Sequence, residues 1–206
     1  MTTVLSLVRR AVAFEVNLYR SLFRWVTRRP DVPPGAAAFP YVGAIATLLW
    51  AFVIVSAIEL VAVHLLLPWE TIRLVADLLG LWGLVWMLGL TANLNVHPHL
   101  VNGSGVHIRY GHSTDIVVPL DAIAGVAGKL RSPASSKTIQ LDREERSTVL
   151  SVVMGGQTNV ELTLGRPLEV PLRKGPETVV AIRFHADDAR GLVARVRERP
   201  GEGTRT

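Results

Sequence analysis

Glu59, His64, Arg73 and Asp77 are ionisable residues set in a stretch, Phe39 to Leu94, that is otherwise nearly all apolar. Hydrocarbon disfavours such groups, so where they occur they serve as proton relays, catalytic pairs, metal ligands or polar clasps between helices. Spacing helps to separate these uses. Arg73 and Asp77 are four apart, which lets them pair on one helix face. Glu59 and His64 are five apart, about 140° around a helix, and do not share a face. Relay and metal pairs on a single helix prefer the i, i+4 spacing. If the two halves of the stretch run antiparallel, Glu59 is level with Asp77 and Leu78, and His64 with Arg73. The four then read as an interhelical polar cluster, a structural clasp ahead of a chemical site.

Other patterns that could carry chemistry are weaker. "HPH" places His97 and His99 on one face if extended, with His107 nearby, and three imidazoles are a minimal zinc set. No acidic residue has ligand spacing, and Pro98 marks a stiff exit from the apolar stretch, so the expectation is no metal. "NGSGVH" lacks the helix opening of a dinucleotide loop and reads as a hairpin turn. No Walker lysine follows a glycine loop, and "GHS" at 111–113 is not a nucleophile elbow. The absence of cysteine excludes disulfides, thiolate nucleophiles and thiolate ligands. No cofactor is expected.

The elements that position these residues follow from hydropathy. Tyr41 to Leu67 holds no Lys, Arg or Asp; as a helix it would be about 40 Å long, more than the roughly 30 Å of a bilayer's hydrocarbon. Pro68 ends it, "PWET" leaves room only for a tight turn, and a second apolar run follows from Ile72 to Leu94. Residues 41–94 are therefore expected to form a two-span transmembrane hairpin. Before it lie Arg9, Arg10, Arg20, Arg24, Arg28 and Arg29 against Glu15 and Asp31, whereas the hairpin loop has only Glu70, with Arg73 just beyond. Arginine excess marks the cytoplasmic side, so both termini are placed there, in a plasma-membrane protein.

Residues 1–30 read as one amphipathic helix stopped by Pro30. Arg9, Asn17, Arg20, Arg24 and Arg28 share one arc; Leu5, Val8, Val12, Tyr19, Leu22, Phe23 and Val26 lie opposite, and Glu15 interrupts the apolar arc. Such a helix suits the interface of an anionic leaflet or, alternatively, packs against protein. Residues 31–40, "DVPPGAAAFP", read as a linker. From Val96 onward short alternating runs appear: "VHIRYG", "DIVV", "TIQL", "TVLSVV", "NVELTL", "LEVPL" and "VVAIRF", separated by "NGSG", "GGQTN" and "RKGPE". Asp187 or Asp188 can then cap a last helix with Ala189, Leu192, Val193 and Val196 on one face. Arg195 and Arg199 add basic charge that can reach anionic headgroups on a tethered domain. Nucleic acid is not an expected partner, because no aromatic residues interleave with the basic ones.

"GVHIRYGHSTDIVVPLDAIAGV" resembles the first hairpin of bacterial pleckstrin-homology-like (PH-like) domains, in which a basic-aromatic-Gly turn leads to a proline and the next strand. "VVAIRFHADDARGLVARVRE" is similar to their last strand and capping helix. Two spans followed by such a domain also resemble a type of actinobacterial membrane protein. The resemblance implies a PH-like barrel over residues 95–199 and a binding role at the membrane surface, with no catalytic residues; the stretch "SPASSKTIQLDREERSTVL" departs from the pattern. The expected architecture is a membrane α-helical hairpin plus an all-β or α+β cytoplasmic PH-like barrel with a C-terminal capping helix, and residues 200–206 as a disordered tail. The expected role is a membrane-anchored, non-enzymatic interaction module whose partners are membrane lipids and a membrane or membrane-associated protein. The alternative is an intramembrane enzyme or ion-coupled protein built on Glu59, His64, Arg73 and Asp77.

Overall fold

The structure, a computed structural model, describes residues 2–133, 135, 137–144, 147–172 and 175–198. Arg199 and the tail from 200 to 206 lie outside the described residues. The chain divides into two compact units, residues 1–30 with 46–96 and residues 31–45 with 97–206.

The first unit is helical. It contains α1 (Thr2–Val26), most of α2 (Gly43–Leu66) and α3 (Glu70–Val96). Leu67, Pro68 and Trp69 join α2 to α3, a link so short that the helices must return on one another. Both are long and apolar enough to cross a membrane. Little of either apolar stretch is buried: Leu48, Phe52, Ile58, Leu65, Leu74 and Leu79 are all more than half exposed. In water such a surface would far exceed what a soluble monomer tolerates, whereas lipid covers it at no cost. At one contact Gly80 receives Leu60: a Cβ on Gly80 would lie 2.8 Å from Leu60 Cδ1.

α1 packs along α3. Leu18, 1% exposed, sits against Gly89, where any Cβ would collide with its side chain. The Phe14 and Trp86 rings lie 6.4 Å apart, and Ser21 Oγ donates to Asn93 Oδ1 at 3.3 Å. Residues 14, 18 and 21 thus meet 86, 89 and 93 in the same order, so here α1 runs beside α3 in the same direction. Of the two settings expected for this helix, the leaflet interface or packing against protein, the contacts along this stretch are those of the second. The packing stripe, Phe14, Leu18, Ser21 and Trp25, is a third face between the two arcs, and the apolar arc (Val8, Val12, Tyr19, Phe23, Val26) stays exposed.

The second unit is built from strands. β1 (Ala37–Phe39), β2 (His99–Asn102), β3 (Gly105–Tyr110) and β4 (Thr114–Val118) form an antiparallel sheet in that order. β5 (Ile123–Arg131), β6 (Ile139–Glu144), β7 (Ser147–Val152), β8 (Thr158–Leu172) and β9 (Gly175–Phe184) form a second sheet ordered β5-β8-β9-β7-β6, antiparallel except where β7 lies parallel to β9. The two sheets stay separate, so the barrel is not closed. They share one core that includes Val101, Ile108 and Val118 from the first sheet and Leu150, Leu162, Ile182 and Phe184 from the second. Helix α4 (Ala189–Arg197) contributes Leu192, Val193 and Val196 to it, and its N-terminus is capped by Asp188, which accepts from Gly191 N–H at 2.8 Å.

Two local elements differ from the sequence pattern. The linker contains β1, whose partner β2 lies some sixty residues on, so residues 31–45 belong to the β unit. "NVELTL" and "LEVPL" join into the single long β8, because Arg166 and Pro167 are accommodated by a register shift between Thr163 and Leu168 rather than by a turn. "IAGVAGKLR" is the strand that the resemblance places after "PLDAI". The "GGQTN" turn does form: Gly155 and Gly156, at φ 59° and 76°, make the two-residue loop that only such backbone freedom allows, and Met154 and Gln157 exchange both hydrogen bonds at 3.1 Å.

Candidate functional site

The four ionisable residues of the apolar helices do not form one cluster. His64 Nδ1 lies 2.7 Å from Asp77 Oδ2, joining α2 to α3. The i, i+4 spacing pairs Asp77 with Arg73, and counting levels sets His64 opposite Arg73. The difference follows from the direction of side chains, which lean toward their helix's N-terminus. On α2 that lean carries His64 away from the link, and on α3 it carries Asp77 toward the link, so they meet about a turn beyond the counted level. Asp77 Oδ1 is buried without a hydrogen-bond partner. Arg73 is half-buried and Glu59 exposed; among the described residues neither side chain has a hydrogen bond or ion pair. Glu59 lines a cavity of about 300 Å³ with Ser56, Leu60, Val63, Ala76, Gly80, Gly83 and Leu84. Chemically, the hairpin offers one bonded His–carboxylate pair and one separate carboxyl group against small residues.

The arginines of α1 sit on a structured scaffold. Arg9, Arg20 and Arg28 are exposed, and Arg24 is half-buried with its Nε donating to the Arg29 carbonyl at 3.3 Å. Tyr19 OH donates to Glu15 Oε1 at 3.3 Å and accepts from Trp82 Nε1 at 3.1 Å, which answers why a carboxylate interrupts the apolar arc. The Trp25 and Trp50 rings lie 6.2 Å apart. On α4, Arg195 bonds Glu198 at 3.4 Å, and Arg197 donates to the Val126 carbonyl at 3.2 Å, so both guanidiniums are engaged by their own unit.

The histidines have structural partners. His99, 1% exposed, stacks on Tyr41 at 4.6 Å and meets the edge of Phe184 at 5.0 Å. Its Nδ1 accepts from Arg109 N–H at 3.0 Å and its Nε2 donates to the His185 carbonyl at 2.9 Å, so both nitrogens are used and neither is left for a metal. Burial pushes its pKa down to about 4, against the opposing pull of the His185 carbonyl. His107 contacts Asp115 through Nδ1 at 3.2 Å and Ser104 through Nε2 at 3.3 Å, and the His97 ring lies 5.6 Å from that of His112. Among the described residues no three His, Cys, Asp or Glu side chains converge as a metal site.

Around His99 lies a junction that the sequence did not announce. Tyr41 OH accepts from Gly111 N–H at 2.7 Å, and burial raises its pKa well above the phenol's ordinary value. Asp187 accepts from Gly43 N–H with both oxygens at 3.0 Å, and its own N–H donates to the Pro40 carbonyl at 2.8 Å. His185 approaches Asp187 at 3.5 Å; burial lowers its pKa, opposed by that carboxylate. Arg109 completes the junction, donating to the Asp31 carbonyl at 2.9 Å and to Asp115 at 3.4 Å. One signal was available: "YVGAIA" opens α2 without a Ser, Thr, Asp or Asn beside its first turn, so its cap had to come from elsewhere.

No protein-family model, curated protein or solved structure matches the chain.

Proposed function

We propose that this chain is a membrane-anchored, non-enzymatic interaction module. In this reading α2 and α3 span the plasma membrane, both termini are cytoplasmic, and a PH-like β unit docks anionic headgroups or a protein at the cytoplasmic surface. The observation that carries it is the brevity of both junctions. Pro40, Tyr41 and Val42 separate β1 from α2, and His97 and Pro98 separate α3 from β2. Two or three residues therefore carry the chain between each strand and its candidate span. A β unit on such leashes meets its ligands at the bilayer surface.

The chain lacks cysteine, so single cysteines accept a fluorescent label without background. Exposed Val117 and Leu130 are suitable positions on the β unit. With the full chain in phosphatidylcholine vesicles, docking predicts a change in emission at one of these sites when phosphatidylglycerol or a native membrane extract is added. Unchanged emission at both sites under every addition would reject the module.

A second reading, an intramembrane enzyme or ion-coupled protein, draws on Glu59, a carboxyl group lining a cavity with no bonded partner among the described residues. Its discriminating substitution is Glu59→Gln, which keeps the volume and removes the exchangeable proton.

A further inference from the structure

We propose that the outer surface of α1 holds one anionic phospholipid, its phosphate on Arg20 and Arg24 and an acyl chain against Val16, Tyr19 and Phe23. This rests on the membrane reading above and gives it a defined ligand site. The five residues line a shallow groove between two i, i+4 rows, Val16–Arg20–Arg24 and Tyr19–Phe23. The first row carries the two guanidiniums beyond Val16, and the second is aromatic. Arg20 is exposed and makes no ion pair among the described residues, while the Nε bond from Arg24 to the Arg29 carbonyl holds that guanidinium near the helix end. Phe23, 68% exposed, is otherwise unexplained on a helix whose packing stripe lies elsewhere. Tyr19 is fixed at its hydroxyl by Trp82 and Glu15, so that wall is preformed.

Depth selects the occupant. Leu18 on Gly89 and Ser21 on Asn93 set Arg20 and Arg24 beside the last turns of α3, where Thr91, Asn93 and Asn95 replace the apolar run. The end of a spanning helix is the level of lipid headgroups, and the Trp25–Trp50 pair fits the aromatic belt found there. A guanidinium fork matches phosphate oxygens in pairs. A free phosphate would use the two arginines but leave the apolar wall empty; a lipid uses both.

The test measures selective association of spin-labelled phosphatidylglycerol over spin-labelled phosphatidylcholine with the full chain in phosphatidylcholine vesicles. Wild-type protein should prefer the anionic lipid. Arg20→Gln with Arg24→Gln should cut that preference by up to about twenty-five-fold, since each charge near the surface is worth roughly fivefold. Lys129→Gln with Arg166→Gln removes the same charge from the β unit and should retain the preference. Equal losses in both double variants, or no preference in the wild type, would overturn the site. So would an unchanged preference in the groove variant accompanied by loss of cross-linking between copies, which would make a second copy the occupant. Alkaline carbonate extraction is run in parallel: release of the wild-type chain from membranes would refute the membrane reading itself, whereas retention with no lipid preference refutes only the groove. Unchanged helical circular dichroism in the groove variant confirms that α1 still folds.

Discussion

At the scale of residues, the hairpin's polar groups divide by whether they have a partner. The clasp is the His64–Asp77 bond. Polar contacts between spans average well under 2 kcal/mol, so Asp77→Leu should lower thermal stability modestly while Asp77→Asn, which keeps an acceptor, should cost less. For Glu59 the substitution that matters is Gln, similar in volume but unable to exchange a proton at neutral pH. The module reading predicts that Glu59→Gln complements a gene deletion as wild type does; loss of the deletion phenotype's rescue at unchanged protein level would promote the enzyme or ion-coupled reading. His99 predicts a pH dependence whose sign is fixed by its environment. Its folded pKa, about 4, lies below the ordinary value of 6.5, so the unfolded chain takes up the proton first. Its contribution is whole above about pH 6.5 and falls by about 3 kcal/mol as pH drops toward 4. Hydrogen exchange of β-unit amides in the full chain should follow that slope, and His99→Phe should flatten it. Residue types announced little of this. "HPH" looks like a ligand motif because imidazoles bind metals, and only the arrival of Tyr41 and Phe184 from distant segments makes His99 a core residue.

At the scale of elements, periodicity revealed what was local and concealed what was paired at a distance. The long helices, the strands with clean alternation and the α4 face were legible, since each buries one side of a regular pattern. β1 was not, because "AAF" is too short to alternate and its strand identity comes from pairing with β2. A fragment of residues 95–199 therefore lacks β1, Tyr41 and the groups that bond Asp187 and Arg109. It should be markedly less stable to urea than a chain joining residues 31–45 to 97–198 through a flexible linker, and equal midpoints would show that the junction contributes nothing. Val196 tests the other side of the unit. It is 4% exposed in the shared core, so Val196→Asp should cost several kcal/mol through an unpaired buried charge, read as a lowered midpoint for the β unit.

At the scale of the whole molecule, the proposed membrane setting raises the question of which side of the bilayer receives the β unit, and charge near the candidate spans gives the expectation. Six arginines and two acids precede the first span, whereas Trp69 and Glu70 at the hairpin link are accompanied by Arg73 alone. Insertion leaves the arginine-rich flank in the cytoplasm, so the link should face outward. If both helices span, the segment that enters α2 and the segment that leaves α3 share one compartment, and a single measurement at the link fixes the side of the β unit. Single cysteines at Ser6, Glu70 and Gly201 in the cysteine-free chain can be treated in intact cells with a membrane-impermeant thiol reagent. Glu70 lies in the first turn of α3 and is exposed, so its cysteine is accessible once outside. Labelling at position 70, with positions 6 and 201 reacting only after the cells are opened, is the expected pattern. Labelling at 6 and 201 but not at 70 would invert the protein and place the α1 groove and the β unit outside the cell. Labelling at 6 or 201 together with 70 would mean that the hairpin does not cross, and the short junctions would then hold the β unit to something other than a bilayer.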